Sequence, residues 1–258
     1  MVEYLSGSAM RVDLRIPPLR RVLAMSIPTA VVSEPEWNSE REALLVKEKA
    51  LTRARDALAA ERRRLPMVRV DKEYRFEGPE GEVGLLGLFE GRRQLIVYRF
   101  FLDPGMKIAS YPVGCPGCTM FADNLPNLVH LNARDTTLVF VSAGSQEAIR
   151  DYRARMGWAD WPWYTTADDF SADFDVSEWW GVNVFLRDGD EVYRSFYASG
   201  RAAEDLSSIW ALLDITPFGR QEEWQDAPAG VPQDPTGSWT RRHDEYSPEA
   251  LAGGRTST

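Results

Sequence analysis

The chain is 258 residues long and 44 % apolar, enough to bury a full core in one domain with elaborations at either end. Its net charge of −9 excludes the basic face that nucleic acids and anionic membranes require, and nearly all its cations are Arg, with only Lys47, Lys49, Lys72 and Lys107 as lysines. No stretch approaches the roughly 20 apolar residues of a membrane span, so neither nucleic acid nor membrane is an expected partner.

Near the N-terminus, Arg20-Arg21 precedes the apolar run 22–32 in loose imitation of a twin-arginine signal, but Pro28 interrupts it and no small-x-small cleavage site is clear. Residues 1–30 are expected to form a loosely ordered extension, with Met25 an alternative start, and the protein to be cytoplasmic. Ser33-Glu-Pro-Glu36 reads as a capping box that opens an N-terminal amphipathic helix within 31–66. Trp37, Leu44, Leu45, Leu51, Leu58 and Leu65 recur at helical spacing, and the mixed charges between them suit a solvated face.

After Pro66 the pattern switches to period two. Val68, Val70 and Tyr74-Arg-Phe76, the turn Glu77-Gly-Pro-Glu-Gly81, and Gly84-Leu-Leu-Gly-Leu-Phe89 predict a β-hairpin leading into the buried strand 95–101. A helix is predicted from the cysteines to about Asn132, then the strand 137–142 and a helix over 145–156. Val182–Leu186, the turn Arg187-Asp-Gly-Asp190 and Glu191–Tyr197 form an evident hairpin, followed by a helix over 203–213. From Gln225 onward the chain is rich in Pro, Gly, Asp, Ser and Thr, and an irregular C-terminal tail over 225–258 is expected.

The chemistry lies in Cys115-Pro-Gly-Cys118, the two cysteines of the chain. Thiols at i and i+3 on the first turn of a helix have Cα atoms roughly 5–6 Å apart, within disulfide range. Unpaired N–H groups and the helix dipole favour thiolate at the first position. Cys115 is therefore assigned as nucleophile and Cys118 as the thiol that resolves it. Since the residues around the pair offer no other cation, helix N–H groups are expected to carry most of the stabilisation of the thiolate. A four-ligand zinc site would need His130 and His243 as well, four thiolates for an iron–sulfur cluster are lacking, and a bridge closing so short a loop would constrain the unfolded chain little. No metal or other cofactor is called for.

Elsewhere, the aromatics Trp158, Trp161, Trp163, Tyr164, Trp179 and Trp180 read mainly as core for a long crossover, with Trp179 and Trp180 placed nearest the dithiol because they abut Gly181. Asp168, Asp169, Asp173 and Asp175 lack the Gly and Glu of a calcium loop. His130, twelve residues beyond Cys118 on the predicted helix, would lie roughly 18 Å along it, too far to serve Cys115 as a base.

The order β, CxxC–α, β, α, β-hairpin, α resembles a thioredoxin-like domain, over 67–224: an α/β fold with a central mixed β-sheet flanked by helices, here with an N-terminal helix and β-hairpin extension. Val32-Ser-x-x-Glu-Trp37, Gly114-Cys-Pro-Gly-Cys118, Trp180-Gly-Val-Asn-Val-Phe-Leu-Arg-Asp188 and Leu213-Asp-Ile-Thr-Pro-Phe-Gly-Arg-Gln-Glu222 are together similar to the thioredoxin-like family catalogued as domain of unknown function 899, across about 30–224. The resemblance implies dithiol–disulfide or peroxiredoxin-like chemistry at Cys115 and Cys118, with a disulfide or peroxide as substrate and a thiol as reductant. Pro116, Gly117, Trp180, Gly181 and Val182 are the expected substrate contacts, and a homodimer is a possible assembly. Gly181 stands where thioredoxins carry a cis-proline, and Tyr111-Pro-Val-Gly-Cys115 lacks the threonine of peroxiredoxins. The alternative is a redox-sensing or small-molecule-binding module without turnover.

Overall fold

The structure is a computed structural model that describes residues 29–104, 113–158, 161–166, 169–176 and 180–251. Most of the expected N-terminal extension, with Met25, and also Tyr111, Pro112, Asp168 and Trp179, lie outside these residues.

Helix α1 (Glu34–Arg62) begins as the sequence requires: Glu36 Oε2 accepts from the Ser33 backbone N–H at 2.9 Å and from its hydroxyl at 2.6 Å. None of its residues is buried, and Trp37, Leu44, Leu51 and Leu58 are all exposed.

Among the described residues eight strands form one mixed sheet in the order β1-β8-β7-β4-β5-β6-β2-β3. They are β1 (Val68–Arg69), β2 (Arg75–Gly78), β3 (Gly81–Gly84), β4 (Gln94–Arg99), β5 (Thr136–Ser142), β6 (Trp163–Thr166), β7 (Gly181–Asp188) and β8 (Glu191–Ser199). Strand β4 is central, with β5 parallel on one side and the antiparallel β7–β8 hairpin on the other. That unit, with α2 (Pro116–Asp123) after β4, α4 (Gln146–Met156) after β5 and α6 (Ser208–Asp214) after β8, is the thioredoxin-like arrangement expected from the order of elements. Three segments extend it: β1 pairs antiparallel with β8, β6 pairs parallel with β5, and the β2–β3 hairpin adds antiparallel to β6.

Alternation along β4 and β5 feeds a core on each face of the sheet. Tyr98, Phe100, Leu138 and Phe140 pack with Cys118, Phe121, Ile149 and Tyr152 from α2 and α4. Leu95, Val97, Val139 and Val141 pack on the other face with Leu88, Phe89 and Phe170, the last from α5 (Phe170–Asp173).

Three predicted elements differ. Gly84–Phe89 is not a strand: beyond Gly84, Leu85–Phe89 forms a 3₁₀ helix that buries Leu85, Leu88 and Phe89, a helical spacing hidden in the short run. The helix after the cysteines ends at Asp123, and a second, α3, spans Val129–Asn132. Pro126 cannot donate to a continuing ladder and disfavours helical geometry at Leu125, while Asn124 Nδ2 donates to the Met120 carbonyl at 2.8 Å. His130 is thus on a separate turn, not on the dithiol helix. The last helix of the domain is also divided, as a 3₁₀ helix at Gly200–Leu206 and α6, with buried Ser207 between.

The aromatic crossover is core as expected: Trp163 is buried, and Trp158, Trp161 and Trp180 pack against the face that holds Cys118. Asp169 and Asp173 accept from Lys72 Nζ at 3.0 and 2.7 Å, so part of the acidic stretch ties α5 to the segment before β2. The tail wraps the domain, ending among described residues in a 3₁₀ turn at His243–Glu245 and α7 (Pro248–Leu251). Among the described residues no helix is long and apolar enough to cross a membrane.

Candidate active site

Strand β4 runs into the buried residues Phe100, Phe101 and Leu102, and the chain returns to it at Cys115, whose backbone N–H donates to the Phe101 carbonyl at 2.9 Å. Cys115 is the N-cap of α2, extended at φ −80° and ψ 130°, and Pro116 supplies a first-turn φ at no hydrogen-bond cost. The Cys115 carbonyl accepts from the Thr119 N–H at 2.9 Å and the Thr119 hydroxyl at 2.8 Å, which locks the first turn. Gly114, just before it, has φ +72°, and a Cβ there would lie 2.7 Å from Cζ of Tyr152, so conformation and space both demand glycine.

The two thiols occupy different environments. Both cysteines are unbridged, Cys115 half-buried and Cys118 1 % exposed. A hydrogen bond from the Cys118 thiol lowers the pKa of Cys115 to about 7, against the cost of burial; the N–H groups of Cys118 and Gly117 and the charge of Arg242 help. Burial first, then the neighbouring Cys115, pushes the Cys118 thiol well above its ordinary range. One thiol is thus poised as thiolate and its neighbour kept as the proton donor.

Three side chains that the sequence around the cysteines does not announce surround this pair. Tyr98 of β4, stacked on Phe121 at 4.1 Å, hydrogen-bonds the Cys118 sulfur, and burial raises its own pKa so that it stays neutral. Tyr152 of α4 meets the Thr119 hydroxyl at 2.6 Å, and burial pushes its pKa up to about 12. Arg242 comes from the tail: its Nε donates to the carbonyls of Val113 at 2.7 Å and Gly114 at 3.1 Å. The expectation that no basic side chain stands near Cys115 is therefore corrected, and the Cys118 thiol, ahead of the helix N–H groups and of Arg242, does most to lower its pKa. Tyr98 stands out as a hydroxyl inside an apolar run, whereas nothing local marks Tyr152, flanked by charged residues, or an arginine so far along the chain.

Pro116 and exposed Gly117 form the outer rim of the first turn, and a Cβ at Gly117 would touch only Cys115 Sγ, at 3.9 Å. Trp180 lies 6.0 Å from the Tyr98 ring, and Val182, paired with Tyr98 across the sheet, is buried in the same cluster. Gly181 opens to the other side, where a Cβ would strike Val176 Cγ1 at 2.7 Å and Tyr197 Cε2 at 3.1 Å. A cleft of about 450 Å³ lies between the α2–α3 linker, Leu138 and Trp161, and neither cysteine lines it. Among the described residues no group of three His, Cys, Asp or Glu is placed to hold a metal.

A central β4–β5 pair, an antiparallel hairpin beside it and a CxxC at the start of the helix after β4 define a thioredoxin-like protein. The chain belongs to the family described as bacterial protein of unknown function (DUF899), whose model matches residues 27–246. No curated protein matches it in sequence. Solved structures similar to it include a cysteine-to-serine mutant of peroxiredoxin Q from Xanthomonas campestris, 15 % identical over 54 % of this chain and 89 % of that one, with a TM-score of 0.37. Thioredoxin from Wuchereria bancrofti is 15 % identical over 55 % of this chain and 90 % of its own, with a TM-score of 0.35.

Proposed function

We propose that the protein is a thiol–disulfide oxidoreductase of thioredoxin-like type that uses the Cys115–Cys118 dithiol for disulfide exchange or peroxide reduction. The observation that carries this reading is a half-buried thiol at a helix N-cap, hydrogen-bonded by a fully buried partner. The Cys115 thiolate attacks one sulfur of a disulfide, forms a mixed disulfide and expels the other sulfur as a thiolate, which takes up a proton. Cys118 loses its proton and attacks Cys115 Sγ, the second substrate sulfur leaves as thiol, and a Cys115–Cys118 bridge remains. With a hydroperoxide the thiolate takes the terminal oxygen, the O–O bond breaks and the alcohol leaves; Cys118 then displaces water from the sulfenic acid. Either way two electrons pass to the substrate, a thiol reductant restores the dithiol, and no cofactor is needed.

Pro116, Gly117 and Trp180 are the proposed direct substrate contacts, with Gly181 and Val182 as their buried support in β7, and the absence of a side chain at Gly117 leaves Cys115 Sγ open to approach. The setting we assign is the reducing cytoplasm. The unburied apolar stripe of α1, flanked by charges of both signs, supports pairing with a second copy.

Turnover of insulin disulfide or of a hydroperoxide with a thiol reductant tests the reading and should vanish in Cys115→Ser. Cys118→Ser should accumulate a mixed disulfide or sulfenate on Cys115, whose mass identifies the substrate class. An adduct on Cys118 would reverse the assigned roles, and reversible oxidation without turnover would leave the sensing or binding alternative.

A further inference from the structure

The tail brings a buried cation to the backbone that leads into the nucleophile. Arg242 is 8 % exposed, and each of its guanidinium nitrogens has a partner. Nε bonds the Val113 and Gly114 carbonyls, Nη2 also donates to the Gly114 carbonyl, and Nη1 meets both oxygens of Glu245 at 2.7 and 2.8 Å. The tail is fixed here by more than Arg242: Arg155 of α4 pairs with Asp244 at 2.8 Å and Glu245 at 3.0 Å, and His243 Nδ1 lies 2.8 Å from Asp123 Oδ1 at the end of α2. The tail is itself anchored by Glu222, whose buried carboxylate accepts from the indoles of Trp224 at 2.7 Å and Trp239 at 2.9 Å and from the Gly237 N–H at 2.9 Å.

We infer that Arg242 is a positioning residue of the dithiol site: it turns the carbonyls of residues 113 and 114 toward the tail and sets a buried positive charge beside Cys115. This deepens the proposed dithiol chemistry and rests on Cys115 as its nucleophile. Two consecutive carbonyl oxygens next to a thiolate would disfavour it by their negative ends. Held by a guanidinium they are neutralised, and the positive φ of Gly114 permits the turn that presents them. With its nitrogens engaged by protein groups, Arg242 acts through geometry and field, not as a donor to substrate. Cys118 and Tyr98 face the same thiol from the core, and Tyr152, Arg155, Asp123, His243, Asp244 and Glu245 surround the Arg242 contact, so the test must isolate one charge.

The experiment is alkylation of Cys115 by iodoacetamide across pH 5–10 in the full-length reduced protein, comparing wild type, Arg242→Met and Arg242→Lys, with circular dichroism to confirm folding. Wild type should react with a midpoint near 7. Arg242→Met should shift the midpoint upward by at least about 0.3 unit, which lowers the rate at pH 6 about twofold, and Arg242→Lys should recover at least half of the shift. An unchanged midpoint in Arg242→Met, or no recovery by Arg242→Lys, overturns the inference. The readout needs no turnover, so a wild type that reduces neither insulin nor hydroperoxide would defeat the proposed activity while leaving this comparison to decide on Arg242.

Discussion

Two glycines within four residues answer to different physics. Gly114 combines a left-handed φ with an approach to Tyr152 that a methyl group cannot share, whereas Gly117 has open space around it. Gly114→Ala should therefore cost more than about 2 kcal/mol of stability, since backbone strain alone contributes roughly 1–3 kcal/mol, read as a lower denaturant midpoint at unchanged slope. Gly117→Ala should leave stability within about 1 kcal/mol of wild type, or raise it, while changing the rate at which Cys115 meets a substrate. Equal losses at both positions would refute this distinction. The cysteine pair was legible from spacing because CxxC is a local geometric statement. Tyr98, Tyr152 and Arg242 were not, because their proximity to it is made by the sheet, by α4 and by the tail.

Elements were legible where the pattern was long or its ends were marked. The capping box at Ser33, the alternation through β4 and the Asp-Gly turn between β7 and β8 all carry their own signals. The five residues from Leu85 were too few to separate period two from a helical turn, and Pro126 outweighed the apolar residues on either side of it. The tail has no periodicity because polar anchors, rather than an apolar face, hold it. Arg220 pairs with Asp214 at 2.7 Å and Glu204 at 2.6 Å and sits over the Trp210 ring at 4.8 Å, beside the Glu222 anchor. The segment Leu213–Glu222, one of the family-like motifs, is thus the clasp of the tail. Glu222→Ala leaves two indole N–H groups without their acceptor, at about 1–3 kcal/mol for each that stays buried. It should speed tryptic cleavage after Arg241 and Arg242 severalfold while far-UV circular dichroism changes little. Cleavage at the wild-type rate would show that the carboxylate does not hold the tail.

At the scale of the whole molecule, α1 is the part that a single copy does not explain. Trp37, Leu44, Leu51 and Leu58 recur along it at intervals of seven, and all four are exposed, Leu51 at 54 %. One apolar position per heptad is half of the seam that paired helices share, and Glu40, Arg41, Lys47 and Glu48 alongside it offer charges of both signs to an identical partner. Light scattering should find a dimer in wild type and a monomer in the double variant Leu51→Glu, Leu58→Glu, with the dithiol still reactive toward iodoacetamide. A wild-type monomer would refute the pairing.

The sequence separation between Gly114 and Arg242, 128 residues, also has a meaning in time. At roughly 5–20 residues per second, about 6–26 s of synthesis pass between the two ends of this contact. During that interval the thiols have been made but the cation beside them has not, so the charge of Arg242 does not yet act on Cys115. The contact between Arg242 and the 113–114 backbone can therefore close only after residue 242 has been made, which places it among the last long-range contacts of the site to form.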